Sequence, residues 1–530
     1  MPEPSASRAA PRPARPHRFG STGRGLRRIG AAGGWWVLGA FAVSRVLVRV
    51  AGVRFDASSL PTAWQLVDPS LLRDHLIPSL WYSHSQPPLF NLFIGLVLDF
   101  SPLSDTRSFA LLFLAMGVAL SLTVLALCRS LGASRWVAIG ATIVITCSPA
   151  TLLYENWLFY TYPITLLVTG LVLAVARWAA TGRSWWFVAV CVLAAATVLT
   201  QSIFHPVWYL VVIALAVLAR RPRRLRLSAP AVLVPLLLIA GLVVKNQVLF
   251  DTPGLTSWAG FNLQRMTTEQ LTPEQRDALV ASGVLSPQAG LMAFLPYDAY
   301  APVVPPCQPA HPDVGVLAEA TKPSGAPNFN DECYLPLYRQ AQTDGLAAAR
   351  HAPHDVLKAQ IASWQFSLRP ASRYSFLNAN RWQMTTYNDV FDRVVMLDVN
   401  APTVVSSPPN VRALYTSPME LSLTVLAAFL LVIGLGVGDT IGWVRRRSAT
   451  ARQATQVTIA VTVVWVFVVG NALEIGENAR IRWMVEPMML AVLAVTGERV
   501  VRSLWHRRHT PPVGPESPSA AALSPGSPPA

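Results

Sequence analysis

The chain has 530 residues, of which 52% are hydrophobic and only 13% are charged, and its formal net charge is +15. Soluble globular proteins carry about 25% charged residues, so this composition excludes an ordinary soluble domain. The positive charge does not indicate nucleic-acid binding, because most of the excess arginine lies in short segments between apolar runs, as in the cytoplasmic loops of membrane proteins. We therefore expect a multi-pass membrane protein without a nucleic-acid partner.

The two ends of the chain differ from its interior. Residues 1–34 and 509–530 are rich in Pro, Ser, Ala and Arg and show no periodicity, which predicts disordered tails. We assign 1–34 and 499–530 to basic cytoplasmic tails. The first apolar run lacks a small-residue cleavage pattern, so we expect it to act as a retained signal anchor.

Apolar runs of about 20 residues recur between the tails, and each could cross a hydrocarbon core of about 30 Å. We predict a polytopic α-helical fold with about ten transmembrane helices. They are placed at 35–53, 108–128, 136–153, 162–178, 185–204, 206–219, 229–249, 419–440, 456–473 and 483–498. The run 88–100 is short for a crossing and suits an interfacial helix on the outer surface.

With this topology both termini and most of the arginine are cytoplasmic. The predicted organisation is a transmembrane core at 35–249 with a first outer loop at 54–107, a larger extracytoplasmic domain at 250–418, and C-terminal transmembrane helices at 419–498. The fold of 265–418 is not legible from the sequence.

Two cysteines, Cys307 and Cys333, lie in the predicted extracytoplasmic domain. Cysteines outside the cell are compatible with a disulfide, and two free thiols are the alternative. In the same domain Thr272, Pro273 and Gln275 have the pattern of a helix start, with an N-cap, a proline at the first position and a glutamine at the third.

Ionisable and amide side chains gather at the predicted outer ends of the crossings, where polar groups near lipid are costly and often functional. They come from distant parts of the sequence: Asp56, Asp68, His84, Gln86, Glu155, His205, Lys245, Glu477, Arg480 and Arg482. A carboxylate here could accept the proton of an acceptor hydroxyl as a general base. Basic groups at the boundary could hold a lipid phosphate.

Three pieces of this pattern resemble C-type membrane glycosyltransferases, whose fold is called GT-C. They are Asp56 soon after the first crossing, the segment 84–91 (HSQPPLFN) before the outer-surface helix, and the late turn 476–482 (GENARIR). The nearest comparison is the protein O-mannosyltransferase and lipid A aminoarabinose transferase group. The resemblance spans roughly 35–265 and 419–498.

The resemblance implies a polyprenyl-phosphate sugar donor and transfer with inversion. It places the general base at Asp56, with Asp68 and Asp74 as rivals in the same loop, and a second acid at Glu155. The aminoarabinose transferases carry Lys where this chain has Gln86.

Donor-phosphate binding is therefore assigned to Lys245, Arg480 and Arg482, with His84. Gln86, His205, Glu477 and Asp68 are possible supporting residues. Each of these side chains also has a structural alternative as a helix cap, an ion-pair partner or an interface anchor. The metal requirement is unknown, and a divalent ion is one alternative.

The expected location is a bacterial plasma membrane, with the active face extracytoplasmic. The expected partners are membrane lipids, the lipid-linked donor, and an envelope glycan, lipid or protein as acceptor. A transporter or flippase of lipid-linked glycans is the main alternative function, and it would need polar groups near the bilayer midplane or broken, repeated helices. A scaffold without activity is a third alternative.

Overall fold

The computed structural model describes residues 22–220, 225–399 and 420–509. Most of both predicted tails lies outside these residues. Within them the first helix begins at Thr22 and the last ends at His509, so both helices extend into segments that we predicted to be tails. At the C-terminal end this is reasonable, since four of residues 499–509 are Arg, a good helix former.

The described helices are numbered in chain order. They are α1 Thr22–Val50, α2 Ser59–Thr62, α3 Pro69–Asp74, α4 Leu76–Tyr82, α5 Leu89–Phe100, α6 Asp105–Leu131, α7 Arg135–Thr146, α8 Pro149–Glu155, α9 Thr161–Thr181, α10 Ser184–Thr200, α11 Pro206–Ala219, α12 Leu225–Phe250, α13 Ala259–Met266, α14 Pro273–Ala281, α15 Tyr297–Tyr300, α16 Gly315–Ala318, α17 Tyr334–His351, α18 Pro353–Ser367, α19 Asn378–Arg381, α20 Thr385–Val394, α21 Leu423–Arg446, α22 Ala451–Leu473, α23 Asn478–Trp483 and α24 Glu486–His509. Two short strands, β1 Asp398–Val399 and β2 Leu421–Ser422, pair antiparallel.

Six of the described helices are long and apolar enough to cross a membrane: α1, α6, α9, α12, α21 and α22. Three shorter apolar helices, α5, α10 and α11, have 12, 17 and 14 residues. These features identify a multi-pass membrane protein. The full number of about ten crossings remains a prediction, as does the non-spanning position of α5.

The predicted crossing at 136–153 is not one straight helix. α7 and α8 meet at a bend of 56°, because Ser148 caps α8 through a hydrogen bond from the Thr151 N–H and Pro149 occupies the first position of that helix. A proline has no N–H with which to continue the preceding helix. The Ser-Pro pair in the sequence was the signal for this break.

The predicted crossing at 483–498 also differs from the structure. The short helix α23 precedes α24, and α24 carries Glu486, Glu498, Arg499 and Arg502. It is not among the six long apolar helices. Its charged side chains explain why its composition fails that criterion.

Helix α9 packs against α6, α10 and α22, and α21 packs along α22. The core that these helices share is continuous, and Val168, Leu171 and Val463 are fully buried in it. The apolar side chains that recur along these helices therefore lie on the faces that point into the protein.

Residues 251–399 pack against α22 through α13 and α18, and α17 packs on these two helices. Helix α13 crosses α17 so closely that a Cβ atom at Gly260 would overlap the Tyr338 carbonyl oxygen, which requires glycine there. Cys307 and Cys333 form a disulfide, with their Cα atoms 5.7 Å apart. Thr272 and Gln275 form the predicted capping box at the start of α14.

Candidate functional site

A cavity of about 540 Å³ lies where the C-terminal ends of α10 and α22 meet the segment 251–262 and helix α17. Polar side chains from all of these elements line it. Of the residues predicted from the sequence, Gln86, His205, Glu477 and Arg480 are in its wall. The structure therefore brings together four predicted side chains that lie up to almost 400 positions apart.

Two carboxylates of the turn after α22 face this cavity and are each paired with an arginine. Glu474 accepts from the Arg265 guanidinium, with 2.8 Å between Oε1 and Nη1. Glu477 accepts from Arg480 and, at 2.5 Å, from the Tyr374 hydroxyl. Gly476, with φ of 107°, allows the tight turn between the two carboxylates.

The pKa values of the two carboxyl groups are shifted in opposite directions. Burial raises the pKa of Glu474 to about 7, and the nearby Glu477 charge acts in the same direction, although Arg265 opposes both. Burial also disfavours the charged form of Glu477, but Arg480, the Tyr374 hydroxyl and Arg265 outweigh it and hold its pKa below the ordinary value. Such a separation of two neighbouring carboxyl pKa values is typical of acid–base sites, and also of structural ion-pair networks.

Arg480 is buried in the cavity wall among three aromatic rings. Its guanidinium lies 5.0 Å from the centre of the Phe159 ring and 5.5 Å from that of Tyr160. Its Nη1 donates to the Thr161 hydroxyl at 3.1 Å, and its Nη2 donates to Glu477. Its Nε is buried and has no hydrogen-bond partner among the described residues, so one donor of this arginine is unsatisfied.

Two glutamines of the cavity wall are buried with an unused acceptor. The side-chain oxygens of Gln86 and Gln201 find no hydrogen-bond partner among the described residues, and both residues line the cavity. A buried polar atom without a partner costs about 1–3 kcal/mol. These atoms therefore favour a ligand or water that donates hydrogen bonds.

The predicted base Asp56 is not in the cavity wall. Its backbone pairs with the segment after α8, donating to the Asn156 carbonyl at 2.8 Å and accepting from the Leu158 N–H at 2.9 Å. Its carboxylate accepts from the Ser58 N–H at 2.9 Å. Asp56 is half-buried and is not among the residues that line the cavity.

The predicted second acid, Glu155, is closed inside an ion pair. Arg45 donates to both of its carboxylate oxygens, at 2.9 and 2.6 Å, and the Tyr162 hydroxyl donates to one of them at 2.8 Å. Arg45 also donates to the Thr146 carbonyl at the break between α7 and α8. This bidentate ion pair fits the structural alternative for Glu155, that of an ion-pair partner.

Three other predicted residues hold backbone groups. Lys245 donates to the carbonyls of Trp81 and Ser83 at 3.0 and 2.7 Å, at the C-terminal end of α4. Arg482 donates to the Arg369 carbonyl and pairs with Glu486, each at 2.9 Å, and is not in the cavity wall. Asp68 caps α3 by accepting from the Ser70 N–H at 2.8 Å.

His84 joins the first loop to the segment 251–399. One ring nitrogen lies 2.7 Å from the Ser257 hydroxyl and the other lies 2.9 Å from the Asn330 carbonyl oxygen. Burial, together with the Lys245 charge, lowers the pKa of His84 to about 3. The imidazole is therefore neutral at pH 7 and cannot act as a cation for a phosphate.

Sequence analysis did not select Arg265, Gln201 or Tyr374, although all three take part in this site. Arg265 and Tyr374 belong to the part of the chain whose fold was not legible. Gln201 follows the last turn of an apolar helix, and a polar residue at that position was the only signal for it.

An apolar groove of about 490 Å³ runs between α21 and α22, and Thr440 is the only polar residue in its lining. Trp465 and Val469 line both this groove and the polar cavity. The Trp465 indole donates to the Ile203 carbonyl at 2.9 Å, which fixes its ring between the two spaces. The groove and the cavity are therefore adjacent. Among the described residues no group of three or more His, Cys, Asp or Glu could hold a metal ion.

No protein-family model matches the sequence, and no curated protein matches it. Two crystal structures of the Archaeoglobus fulgidus oligosaccharyltransferase are similar to this chain: one tethered with an acceptor peptide containing the NVT sequon via a disulfide bond, and one in the apo form. The identities are 13% and 15%, the TM-scores are 0.36 and 0.34, and each match covers 89% of this chain. The matches cover 50% and 52% of that chain, so this protein spans about half its length. TM-scores this low do not establish a shared fold.

Proposed function

We propose that this protein is a glycosyltransferase of the GT-C type that moves a sugar from a polyprenyl-phosphate donor to an envelope glycan, lipid or protein, with inversion. In this proposal the protein lies in a bacterial plasma membrane and works on its extracytoplasmic face. The observation that carries the proposal is the adjacency of an apolar groove and a polar cavity with a buried arginine.

A lipid-linked sugar needs both kinds of space. Removing its isoprenoid tail from water is favourable by about 0.8 kcal/mol for each CH₂ group. A tail that enters the groove from the lipid does not gain this full amount, and the groove then favours it through its shape. Its phosphate and sugar require hydrogen-bond donors and acceptors. The groove between α21 and α22 suits the tail, and the cavity beyond Trp465 suits the head group.

In the cavity Arg480 is the proposed phosphate ligand, since its Nε is unused. A positive group at this position would stabilise the charge that grows on the phosphate as its bond to the sugar breaks. Lys245 and His84, which we also predicted as phosphate ligands, are occupied by protein groups, and Arg482, a third predicted ligand, pairs with Glu486 and is not in the cavity wall. In the proposal they position the walls of the site.

Two carboxylates are candidates for the general base. Asp56 follows from the sequence and is half-exposed beside the segment 156–158. Glu474 follows from the geometry, because it lines the cavity and burial raises its pKa to about 7, where a base is most effective at neutral pH. Asp56 meets the requirement of access for an acceptor, and Glu474 meets the requirement of contact with the cavity.

A transporter or flippase is less well supported. Such proteins bind substrate near the bilayer midplane at broken helices. The break between α7 and α8 is instead filled by the Arg45–Glu155 ion pair, and the cavity lies at the ends of α10 and α22.

The test is transfer of a radiolabelled sugar from polyprenyl phosphate to extracted envelope acceptors by the purified protein, with a panel of sugars on the donor. Loss of the base should lower the rate by a factor of about 10² to 10⁴, so either Asp56→Asn or Glu474→Gln should do this while donor binding survives. Arg480→Ala should weaken donor binding. The matched control is Asp277→Asn on the exposed helix α14, which should transfer at the wild-type rate.

If both Asp56→Asn and Glu474→Gln keep the wild-type rate, both assignments of the base are wrong. If the wild type transfers no sugar from any donor in the panel but moves the lipid between leaflets, the transporter alternative replaces the glycosyltransferase.

A further inference from the structure

Helix α20 has the opposite polarity to that of a helix on a water-soluble protein. Tyr387, Val390 and Val394 lie on one face, and Val390 and Val394 are 55% and 67% exposed. Asn388 and Asp392, on the other face, are buried at 0% and 1% exposure. Surface helices in water normally turn their apolar face inward and their polar face outward. Thr386 and Arg393 are exposed beside this apolar stripe, and an exposed apolar stripe bordered by polar groups is the pattern of a helix that lies in a membrane interface.

The buried polar face is satisfied by the protein. The Asp392 carboxylate accepts from the Arg373 Nε at 3.1 Å and from the Asn388 amide at 2.9 Å, and Arg373 also pairs with Asp398 at 2.7 Å. These buried, mutually bonded charges fix the rotation of α20 about its axis. A simple rotation that turned the apolar residues inward would leave Asp392 and Arg373 without partners, at a cost of several kcal/mol.

Helix α20 and its flanks lie beside the ends of three apolar helices. Gln383 covers Gly52, just beyond α1, where a Cβ atom would come within 2.8 Å of its Oε1. The Tyr387 hydroxyl donates to the Cys147 carbonyl at 2.7 Å, at the end of α7. Strand β1 follows α20 and pairs with β2, which leads directly into α21.

We propose that residues 376–399 form an in-plane membrane anchor, in which Tyr387, Val390, Val394 and Leu397 insert between lipids at the boundary of the bilayer. The helix ends beside α20 place it at that boundary. Trp382, exposed just before α20, is a residue type that is enriched at the membrane–water interface, and Phe376 is an exposed apolar residue of the same segment. The partner is the lipid surface itself, as for other amphipathic helices that lie in the interface.

The anchor is connected to the cavity. Asp392 holds Ser372 and Arg373, and the next residue, Tyr374, donates to Glu477 in the cavity wall. Lipid contact at α20 would thereby help to position Tyr374. The anchor does not depend on the proposed function, because it rests on the polarity and position of α20.

The test uses nitroxide labels on single cysteines in the full chain reconstituted into nanodiscs. The three free cysteines, Cys128, Cys147 and Cys191, are replaced by Ala and the disulfide is retained. Labels are placed at Val390→Cys or Val394→Cys. Leu430→Cys, exposed on α21, is the control for lipid, and Asp277→Cys, exposed on α14, is the control for water.

A label at Val390 or Val394 is expected to resemble that at Leu430, with oxygen more accessible to it than a water-soluble nickel complex. The proposal fails if both labels resemble that at Asp277, because the face then contacts water. It also fails if both are shielded from oxygen and from nickel, because another part of the chain, such as residues 400–419, or a second copy then covers the face. Two label sites protect the test against misfolding of one variant.

Discussion

Two buried sites of this protein contain the same residue types and differ in what surrounds them. At the break between α7 and α8, Glu155 is held by Arg45 and Tyr162. In the turn after α22, Glu474 and Glu477 are held by Arg265 and Arg480. We call the first the closed pair and the second the cavity turn.

The closed pair is packed on all sides, and a Cβ atom at Gly117 would overlap both Phe41 and Glu155. The cavity turn borders a space of about 540 Å³ with unused hydrogen-bonding atoms. A buried carboxylate–arginine pair is therefore not by itself a sign of chemistry. A cavity beside it, with polar atoms left free for a ligand, is the feature that separates the two sites.

The largest effect should come from breaking the closed pair. Glu155→Ala leaves Arg45 buried without its partner, which typically costs about 3–5 kcal/mol. We expect a loss of this size in the free energy of unfolding, measured by denaturant titration in detergent. The control is Arg73→Gln, which breaks the exposed pair with Asp105 and should cost about 1 kcal/mol or less. Equal losses in the two variants would show that Glu155 is not closed in.

The disulfide should matter to the cavity turn and not to the closed pair. Cys333 precedes α17, which supplies Tyr338 and Arg339 to the cavity wall. Cys307→Ser with Cys333→Ser opens a loop with a sequence separation of 26 and should lower stability by about 3 kcal/mol on the chain-entropy model. Peptide mapping without reduction should find the bridge in the wild type. Two alkylated thiols there would contradict it.

The tight packing of the closed pair can be tested with Gly117→Ala. The added methyl group overlaps the Glu155 carboxylate, which its ion pair prevents from moving, so we expect a loss of about 1–3 kcal/mol. Gly140→Ala is the matched control, because nothing lies within 4 Å of the added atom, and its stability should be unchanged or higher by up to about 1 kcal/mol. If Gly117→Ala leaves the free energy of unfolding unchanged, the closed pair can expand to accommodate the added methyl group.

A further effect should appear in the pH dependence of stability, because burial raises the pKa of Glu474 even though Arg265 stays in contact with it. The folded-state pKa of Glu474 is about 7 against an ordinary 4.5, so the folded state binds more protons between these values. The contribution of Glu474 to stability is then complete below about pH 4.5 and is lost as the pH rises through about 7.

Glu474→Gln cannot titrate, so its stability should fall less between pH 4.5 and 7 than that of the wild type. The measurement is denaturant unfolding at a series of pH values, with Asp277→Asn as the control. Parallel curves for the wild type and Glu474→Gln would show that Glu474 ionises normally in the folded protein.

Much of the helical architecture followed from composition. The predicted crossings at 108–128 and 456–473 correspond to α6 and α22 within a few residues, because a bilayer requires long apolar runs. The break at Ser148-Pro149 was visible in the sequence but was passed over because the apolar pattern continues through it. The start of α14 at Pro273 was predicted from its capping residues.

The sequence by itself determined that polar side chains collect at helix ends, since lipid excludes them from the middle of a span. Only the tertiary structure decided which of these side chains meet. Arg45 pairs with Glu155, and Arg265 pairs with Glu474. The charge pattern along the chain does not predict these partners, because they are brought together by the packing of distant segments. Whether a buried pair faces a cavity depends on how α10, α22 and the segment 251–262 fit together, and that fit is a property of side-chain volumes in contact rather than of any one segment.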